Sequence, residues 1–312
     1  MKHTRRAALG VLAAAVLATA ACGNGGTTGG EQGSMTIALS VSTLNNPFFV
    51  QLKEGAEEAA RELGVTLTVL DAQNDAVNQV NQVQTAVTQG VKAVVINPVD
   101  SDQAAPAAKA AENAGVPVVA ADRSINNATV VSTVASDNVQ GGQLAAEALA
   151  QAMGGGGEVV VLQGVPGASA SRERGQGFQE GVAQQAGLNV VATQPADFDR
   201  AKGLDVMTNL LQAHPNVKGV FAENDEMALG AIKALGDRAG QDVVVVGFDG
   251  TPDGLAAIEA GQLAASIAQQ PREIGRQAVE QAVRAARGEQ TQQTIQVPVK
   301  VVTKENVAEF TK

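Results

Sequence analysis

An α/β fold of two doubly wound, parallel-sheet lobes is what this sequence predicts, and three observations lead there. From Met35 onward, short Val- and Ile-rich runs alternate with longer amphipathic stretches rich in Ala and Gln. The short runs are almost continuously apolar rather than alternating, which is the pattern of parallel strands covered on both faces. About eight such units are present, more than one open sheet holds comfortably, and 312 residues suffice for two domains of ordinary size.

Taken in order, the apolar runs fall at 36–41, 65–70, 93–96, 116–120, 158–162, 189–192, 219–222 and 242–247. The stretches between them carry helix start signals. Asn46-Pro47 supplies a cap and a first-turn proline, and Thr251-Pro252-Asp253 repeats the device. Asp199, Ser101 and Asn224 are candidate caps for three more helices. The segment 130–135 reads as a strand with no helix before it, so the chain is expected to cross between lobes near 133–138. The run 263–268 and the helix from Pro271 read as the return. The expected lobes are 35–136 with 270–298, and 137–269 with 299–312.

The first residues read as an export signal. Lys2, Arg5 and Arg6 make a positive start, and 7–21 is an apolar run too short to span a bilayer permanently. Thr4-Arg5-Arg6 is a partial twin-arginine pattern. Cys22, the single cysteine, follows Ala20-Ala21 and looks like the lipidated cysteine of a bacterial lipobox, with Thr19 where a leucine is usual. Residues 1–22 are therefore expected to be a signal peptide, and the Gly-rich residues 23–34 a flexible tether. A lone cysteine forms no internal disulfide and no cysteine metal cluster. The net charge is −10, and losing Lys2, Arg5 and Arg6 takes it to −13. That balance argues against nucleic acid or an anionic membrane surface as partner, because both need a basic footprint.

Ligands of open α/β sheets bind beyond the carboxyl ends of the strands, so the strand-to-helix loops hold the candidate site. There is no Trp or Tyr and only seven Phe, four of which (Phe48, Phe49, Phe198 and Phe248) lie at or just after strand ends. A sugar presents C–H faces that pack on rings and a hydroxyl rim that needs paired donors and acceptors. Ser42, Asn46, Asn224 and Gln269 supply such groups in the same loops. Asp122, Arg123, Arg174 and Asp249 add two cations and two anions, a balance suited to a neutral polyhydroxyl ligand. A phosphate site would want excess cation or a glycine loop at a helix start. His3 lies in the signal and His214 in a turn before Pro215, so no histidine pair, Ser/His arrangement or cysteine nucleophile is formed, and no Gly-x-x-x-x-Gly-Lys loop is present. No enzyme activity, metal or cofactor is expected.

Several ordered strings closely resemble bacterial ribose-binding proteins. They are Ser42 to Phe49, Asn97-Pro98, Asp122-Arg123, Ala135 to Asn138, Arg172 to Gly175, Gln194 to Arg200, Asn224 to Gly230, Gly247 to Gly254 and Ala268-Gln269. The resemblance runs from about Met35 to the C-terminus. It implies the type I periplasmic-binding fold, with the two lobes joined by a three-strand hinge. By position it assigns sugar contacts to Ser42, Asn46, Phe48, Phe49, Asp122, Arg123, Arg174, Phe198, Asn224, Phe248, Asp249 and Gln269. Phe48 and Phe198 would sandwich the sugar ring, and Phe49 would line the same pocket.

The implied role is that of an extracytoplasmic lipoprotein of an ABC importer, in the periplasm or on the outer face of the cytoplasmic membrane. It would bind D-ribose by hinge closure and deliver it to a permease with separate ATPase subunits. A chemoreceptor is a second candidate partner, and a monomer is expected. The rival readings are the same role for allose, xylose, galactose or a furanose signal; a repressor's sensor lobe, which would need an N-terminal DNA-binding helix pair; and a sugar-modifying enzyme, for which catalytic groups are lacking.

Overall fold

The computed structural model describes residues 35–311. The expected signal peptide, Cys22 and the tether lie outside the described residues. The elements run β1 (Thr36–Val41), α1 (Pro47–Leu63), β2 (Thr66–Asp71), α2 (Ala76–Thr88), β3 (Ala93–Ile96), α3 (Ala105–Asn113), β4 (Val118–Ala121) and β5 (Ser132–Ser136). There follow α4 (Asn138–Met153), β6 (Gly157–Gln163), α5 (Ser169–Val182), β7 (Leu188–Pro195), α6 (Arg200–Ala213), β8 (Gly219–Ala222) and α7 (Asp225–Leu235). The last are β9 (Val244–Asp249), α8 (Pro252–Glu259), β10 (Ala265–Ala268), α9 (Pro271–Ala286), β11 (Thr294–Val297) and β12 (Lys300–Thr303). Each of the eight apolar runs overlaps a strand.

Two six-stranded sheets result. The first has the order β11-β5-β4-β3-β1-β2 and is parallel throughout. The second has the order β12-β10-β9-β8-β6-β7 and is parallel except for β12, which runs against β10. Each sheet reverses its winding beside its first strand, at β1/β3 and at β6/β8. A crevice opens at such a switch point, beyond the carboxyl ends of the strands. The central strands β3, β4, β8 and β10 are buried along their whole length, as two-sided coverage requires.

The chain passes between the sheets three times, after β5, after β10 and between β11 and β12. The run 263–268 lies within the expected second lobe, 137–269, and comes before the return rather than forming part of it. It forms β10 beside β9 in the second sheet, and the return follows it. Its apolar residues alone could not distinguish the two sheets, since both offer a parallel neighbour. The β11 and β12 strands are half-exposed and carry too few apolar residues to stand out in the sequence.

Helix starts follow the capping chemistry. The Asn46 side chain accepts from Phe48 N–H at 2.8 Å, Asn224 from Met227 N–H at 2.9 Å, and Thr251 from Gly254 N–H at 3.2 Å. Asp199 caps α6 by accepting from Lys202 N–H at 2.8 Å. Ser101 is the exception, because α3 begins at Ala105 without a side-chain cap. Its hydroxyl is used across the cleft instead. It accepts from Ser169 N–H at 3.1 Å, while Ser101 N–H donates to the Gly167 carbonyl at 3.0 Å. Ser124 N–H completes the contact by donating to Ser169 Oγ at 2.9 Å. The lobes therefore touch directly at the cleft mouth, and Gly167 fits there because it has no Cβ. A Cβ would overlap the Asp100 carboxylate of the other lobe.

Three helix pairs also approach through reciprocal glycines: Gly55 with Gly275 between α1 and α9, Gly142 with Gly177 between α4 and α5, and Gly203 with Gly230 between α6 and α7. In each pair a Cβ on either glycine would strike the backbone of the partner helix. The α4–α5 contact matters most for function, because α5 carries Arg174. Gly177→Ala should push α5 off the Val139 carbonyl and lower the unfolding free energy by about 2 kcal/mol, since overpacking a tight contact typically costs this much. Urea titration reads this, and a change below about 0.5 kcal/mol would contradict the close packing.

Candidate functional site

A small cavity lies between the carboxyl ends of the two sheets. It is lined by Asn46, Phe48, Phe49, Asp122, Arg123, Ala170, Arg174, Phe198, Asn224, Asp249 and Gln269. Ten of the twelve residues singled out in the sequence thus share one cavity, and they come from both lobes. Asn46, Phe48 and Phe49 follow β1, and Asp122 and Arg123 follow β4. Phe198 follows β7, Asn224 follows β8, Asp249 ends β9, Gln269 follows β10, and Arg174 stands on α5.

Ser42 and Phe248 stand behind the cavity rather than on its wall. Ser42 is fully buried and its N–H donates to Asn97 Oδ1 at 3.0 Å. The Phe248 ring is fully buried in the core of the second lobe, and the Arg174 guanidinium lies over its face at 3.9 Å from the centroid. The ring also presses on Gly141, where a Cβ would come within 2.6 Å of it.

The walls combine flat rings and fixed charges. Phe48 and Phe49 meet edge to face at 5.1 Å. Arg123 lies 5.3 Å from the rings of both Phe49 and Phe198, so its cation bridges aromatic groups of the two lobes. Its Nη1 donates to the Pro98 carbonyl at 2.9 Å. Arg174 is held by the Glu223 carbonyl at 2.7 Å and by Asn138 Oδ1 at 3.0 Å, with Asp249 at 3.7 Å. Asp249 Oδ1 accepts from Gln269 Nε2 at 2.6 Å, and Gln269 Oε1 in turn accepts from the Ser136 hydroxyl at 2.7 Å. Asp122 Oδ2 accepts from Asn97 Nδ2 at 3.1 Å and faces Arg123 Nε at 3.5 Å.

Some hydrogen-bonding capacity is left over. Asp122 Oδ1 and Arg123 Nε are buried without a hydrogen-bond partner. At 3.5 Å the Arg123 Nε contact is an ion pair that falls short of a hydrogen bond. A buried acceptor beside a buried donor suits a hydroxyl, which both donates and accepts.

The backbone is strained where the site is built. Asp122, Phe198 and Asp249 have φ values of 65°, 60° and 116°. Residues other than glycine rarely adopt such angles, at a cost of roughly 1–3 kcal/mol each. Phe198 is seated by Gly164, since a Cβ there would collide with its ring. Asp225 holds the loop after β9 by accepting from Thr251 N–H at 2.7 Å, Thr251 Oγ1 at 3.0 Å and Ser266 Oγ at 2.7 Å.

Ala170, Asn97, Asn138 and Asp225 were not singled out as site residues. Ala170 carries no polar signal. The other three act through neighbours that only the fold brings close. Among the described residues, no group of three or more His, Cys, Asp and Glu is placed to hold a metal ion.

Burial dominates the electrostatics. It raises Asp122 despite the opposing Arg123 and Arg174, and raises Asp249 well above the usual carboxylate range despite Arg174. It pushes Asp225 up to about 6 and Glu223 to about 7, and it lowers Arg123. An acid raised on folding contributes stability that is present below its unfolded pKa and lost as pH rises through its folded value. The protein should therefore lose stability as pH rises from about 4 to about 7, through the raised values of Asp225 and Glu223. Urea midpoints across this range check it, and a rising profile would contradict the assigned burial.

Comparison with known proteins agrees with this geometry. A family profile described as "periplasmic binding protein domain" matches residues 37–290. The ribose import binding protein of Escherichia coli is 53% identical over 270 residues, covering 86% of this chain and 91% of that one. Its Bacillus subtilis counterpart is 51% identical over 274 residues, covering 88% and 89%. The crystal structure of the Caulobacter myo-inositol binding protein superposes with a TM-score of 0.84 at 34% identity, covering 89% of this chain and 96% of that one. A solute binding protein from Actinobacillus succinogenes with bound D-allose gives 0.82 at 32% identity, covering 88% and 99%. With a two-lobed fold, a cleft at both switch points and a family match over most of its length, the chain belongs to the periplasmic binding protein family.

Proposed function

We propose that this protein is the D-ribose-binding component of an ABC importer, exported and anchored in the membrane through a lipid on Cys22. The observation that carries the ligand reading is the cavity: phenyl rings from both lobes, two cations balanced by two anions, and unpaired Asp122 and Arg123 atoms between them. The twelve residues named from the sequence form the sugar site, with Ser42 and Phe248 acting from behind its wall. Sequence identity to ribose import binding proteins over most of the chain supports ribose over other sugars.

Each lobe offers half a site. The first contributes Asn46, Phe48, Asp122 and Arg123; the second contributes Arg174, Phe198, Asn224 and Asp249. One sugar satisfies both only when the lobes meet, so binding favours the closed form. Phe48 and Phe198 pack on the ring faces, and the charged groups hold the hydroxyls. The closed monomer then presents surfaces of both lobes together to the permease. No chemical step is needed, because the ligand is held and released unchanged. The lobes are taken as residues 35–136 with 270–298, and 137–269 with 299–312.

Calorimetry with D-ribose, on the chain from Met35 stripped of bound sugar, tests the ligand. One-to-one binding much tighter than that of D-allose, D-galactose or myo-inositol is expected, and no heat with ribose would reject it. Arg174→Ala and Asp249→Ala should each weaken binding by roughly 30-fold to 1,000-fold, the cost of leaving a buried polar partner unpaired. A change below about tenfold in both would overturn the site assignment.

Gly167→Ala tests closure. It leaves every sugar-lining residue in place and puts a Cβ where Asp100 must come. Ribose affinity should fall, because closure then requires the Asp100 carboxylate to move aside. Small-angle scattering should show the ribose-saturated variant more open than the wild type, and identical closed profiles would refute the contact. For the anchor, detergent-phase partitioning of the full chain should be lost in Cys22→Ala.

A further inference from the structure

Glu223 is a buried acid whose carboxylate does not line the cavity. It sits at the end of β8 with no exposure to solvent. Its Oε2 accepts from Gly164 N–H at 2.8 Å and from the Ser171 hydroxyl. Its Oε1 is buried without a hydrogen-bond partner and faces α5 at Gly175, 3.1 Å from where a Cβ would stand. Its backbone carbonyl holds Arg174 Nη1 at 2.7 Å. The two carboxylate donors belong to the two elements that shape the second lobe's half of the cleft. Gly164 is the backbone on which the Phe198 ring rests. Ser171 stands one turn before Arg174 on α5.

We propose, on the sugar-cleft reading, that Glu223 is a positioning residue whose ionised carboxylate ties the floor beneath Phe198 to the helix carrying Arg174, so that protonating it weakens sugar binding. The ionised form is the one the surroundings match. Both neighbours donate to it, and Arg174 favours its charge. A proton on Oε1 would have no acceptor, and a proton on Oε2 would force the Ser171 hydroxyl to accept instead of donate, leaving its own hydrogen to find another partner. The acid is poised to change state near neutrality, because burial raises it to about 7 against these three favourable contacts.

The other charged groups around it are engaged elsewhere. On α5, Glu173 accepts from Asn138 and Arg172 donates to the Pro166 and Gly167 carbonyls. On α7, Asp225 accepts from Thr251 and Ser266, and Glu226 pairs with Arg200. Beyond β7, Asp197 pairs with Lys202. On β9, Asp249 is taken by Gln269 and Arg174. Asp122 and Arg123 face the cleft from the other lobe and pair with each other.

The test is the pH dependence of ribose affinity in wild type, Glu223→Gln and Ser171→Ala. Wild-type affinity should fall about fivefold from pH 8 to pH 6, because the sugar-bound form prefers the ionised acid. Glu223→Gln should bind more weakly than wild type at pH 8, and its affinity should fall less than the wild type's from pH 8 to pH 6, the remainder coming from Asp122, Asp225 and Asp249. Ser171→Ala removes a donor to the carboxylate, so its transition should move to higher pH. Asp122, Asp225 and Asp249 are present in all three proteins, so the difference between profiles belongs to Glu223. A Glu223→Gln profile that follows the wild type overturns the proposal, as does a flat wild-type profile. Ribose failing to bind at any pH would instead sink the ligand assignment. In that case the carboxyl 13C resonance of Glu223 carries the test: Ser171→Ala must raise its titration midpoint, and an unmoved midpoint overturns the tie.

Discussion

Two buried arginines set the terms for this cleft. A guanidinium taken out of water costs several kcal/mol unless its donors and charge are met. Arg174 meets that demand with a carbonyl, an asparagine, an aspartate and the face of Phe248. Arg123 uses the Pro98 carbonyl, Asp122 and two phenyl rings, but its Nε is left over. Most of the remaining architecture is explained by the need to keep these two cations in place without filling the space between them. Asn97 and Gln269 orient the two aspartates, Ser136 orients Gln269, and Asp225 holds the loop from which Asp249 projects.

That arrangement is maintained against local resistance. Asp122, Phe198 and Asp249 adopt backbone angles that cost energy; Asp122 and Asp249 do so at the ends of strands paired on both sides, Phe198 in the loop after the edge strand β7. The rigid sheets impose the conformation, and the loops absorb the strain. Glycines act in the opposite way, by removing atoms. Gly164 makes room for the Phe198 ring, Gly177 lets α5 approach α4, and Gly167 lets one lobe reach Asp100 of the other. The contact between the lobes therefore depends on missing side chains as much as on the residues that line the cavity.

The same geometry separates affinity from selectivity. Direct contacts between lobes through Ser101, Ser124, Gly167 and Ser169 favour the closed state whatever lies inside. The rings and charges decide what can lie inside. Burial makes several of the acids weak, so the cleft's charge depends on pH and on whether hydroxyl donors are present. In the proposed role, uptake would then respond both to the sugar and to the acidity of the compartment.

By itself the sequence determined the strand runs, most of the helix starts and the chemistry of the loops, because these are set by local periodicity, capping and side-chain type. Asn46, Asn224 and Thr251 cap helices for reasons visible within four residues. Ten of the residues marked by polarity or aromaticity at strand ends face one cavity, since parallel sheets place those ends together. Only the tertiary structure decided what depends on contacts distant in sequence. It turned Ser101 from a cap into a bridge between lobes and moved Phe248 behind Arg174. It also placed Glu223 beneath the cleft, where a residue with no distinguishing sequence signal is joined to Gly164 and Ser171, more than fifty residues away. Local chemistry is written in neighbouring residues; burial and partnership arise only when the chain has folded.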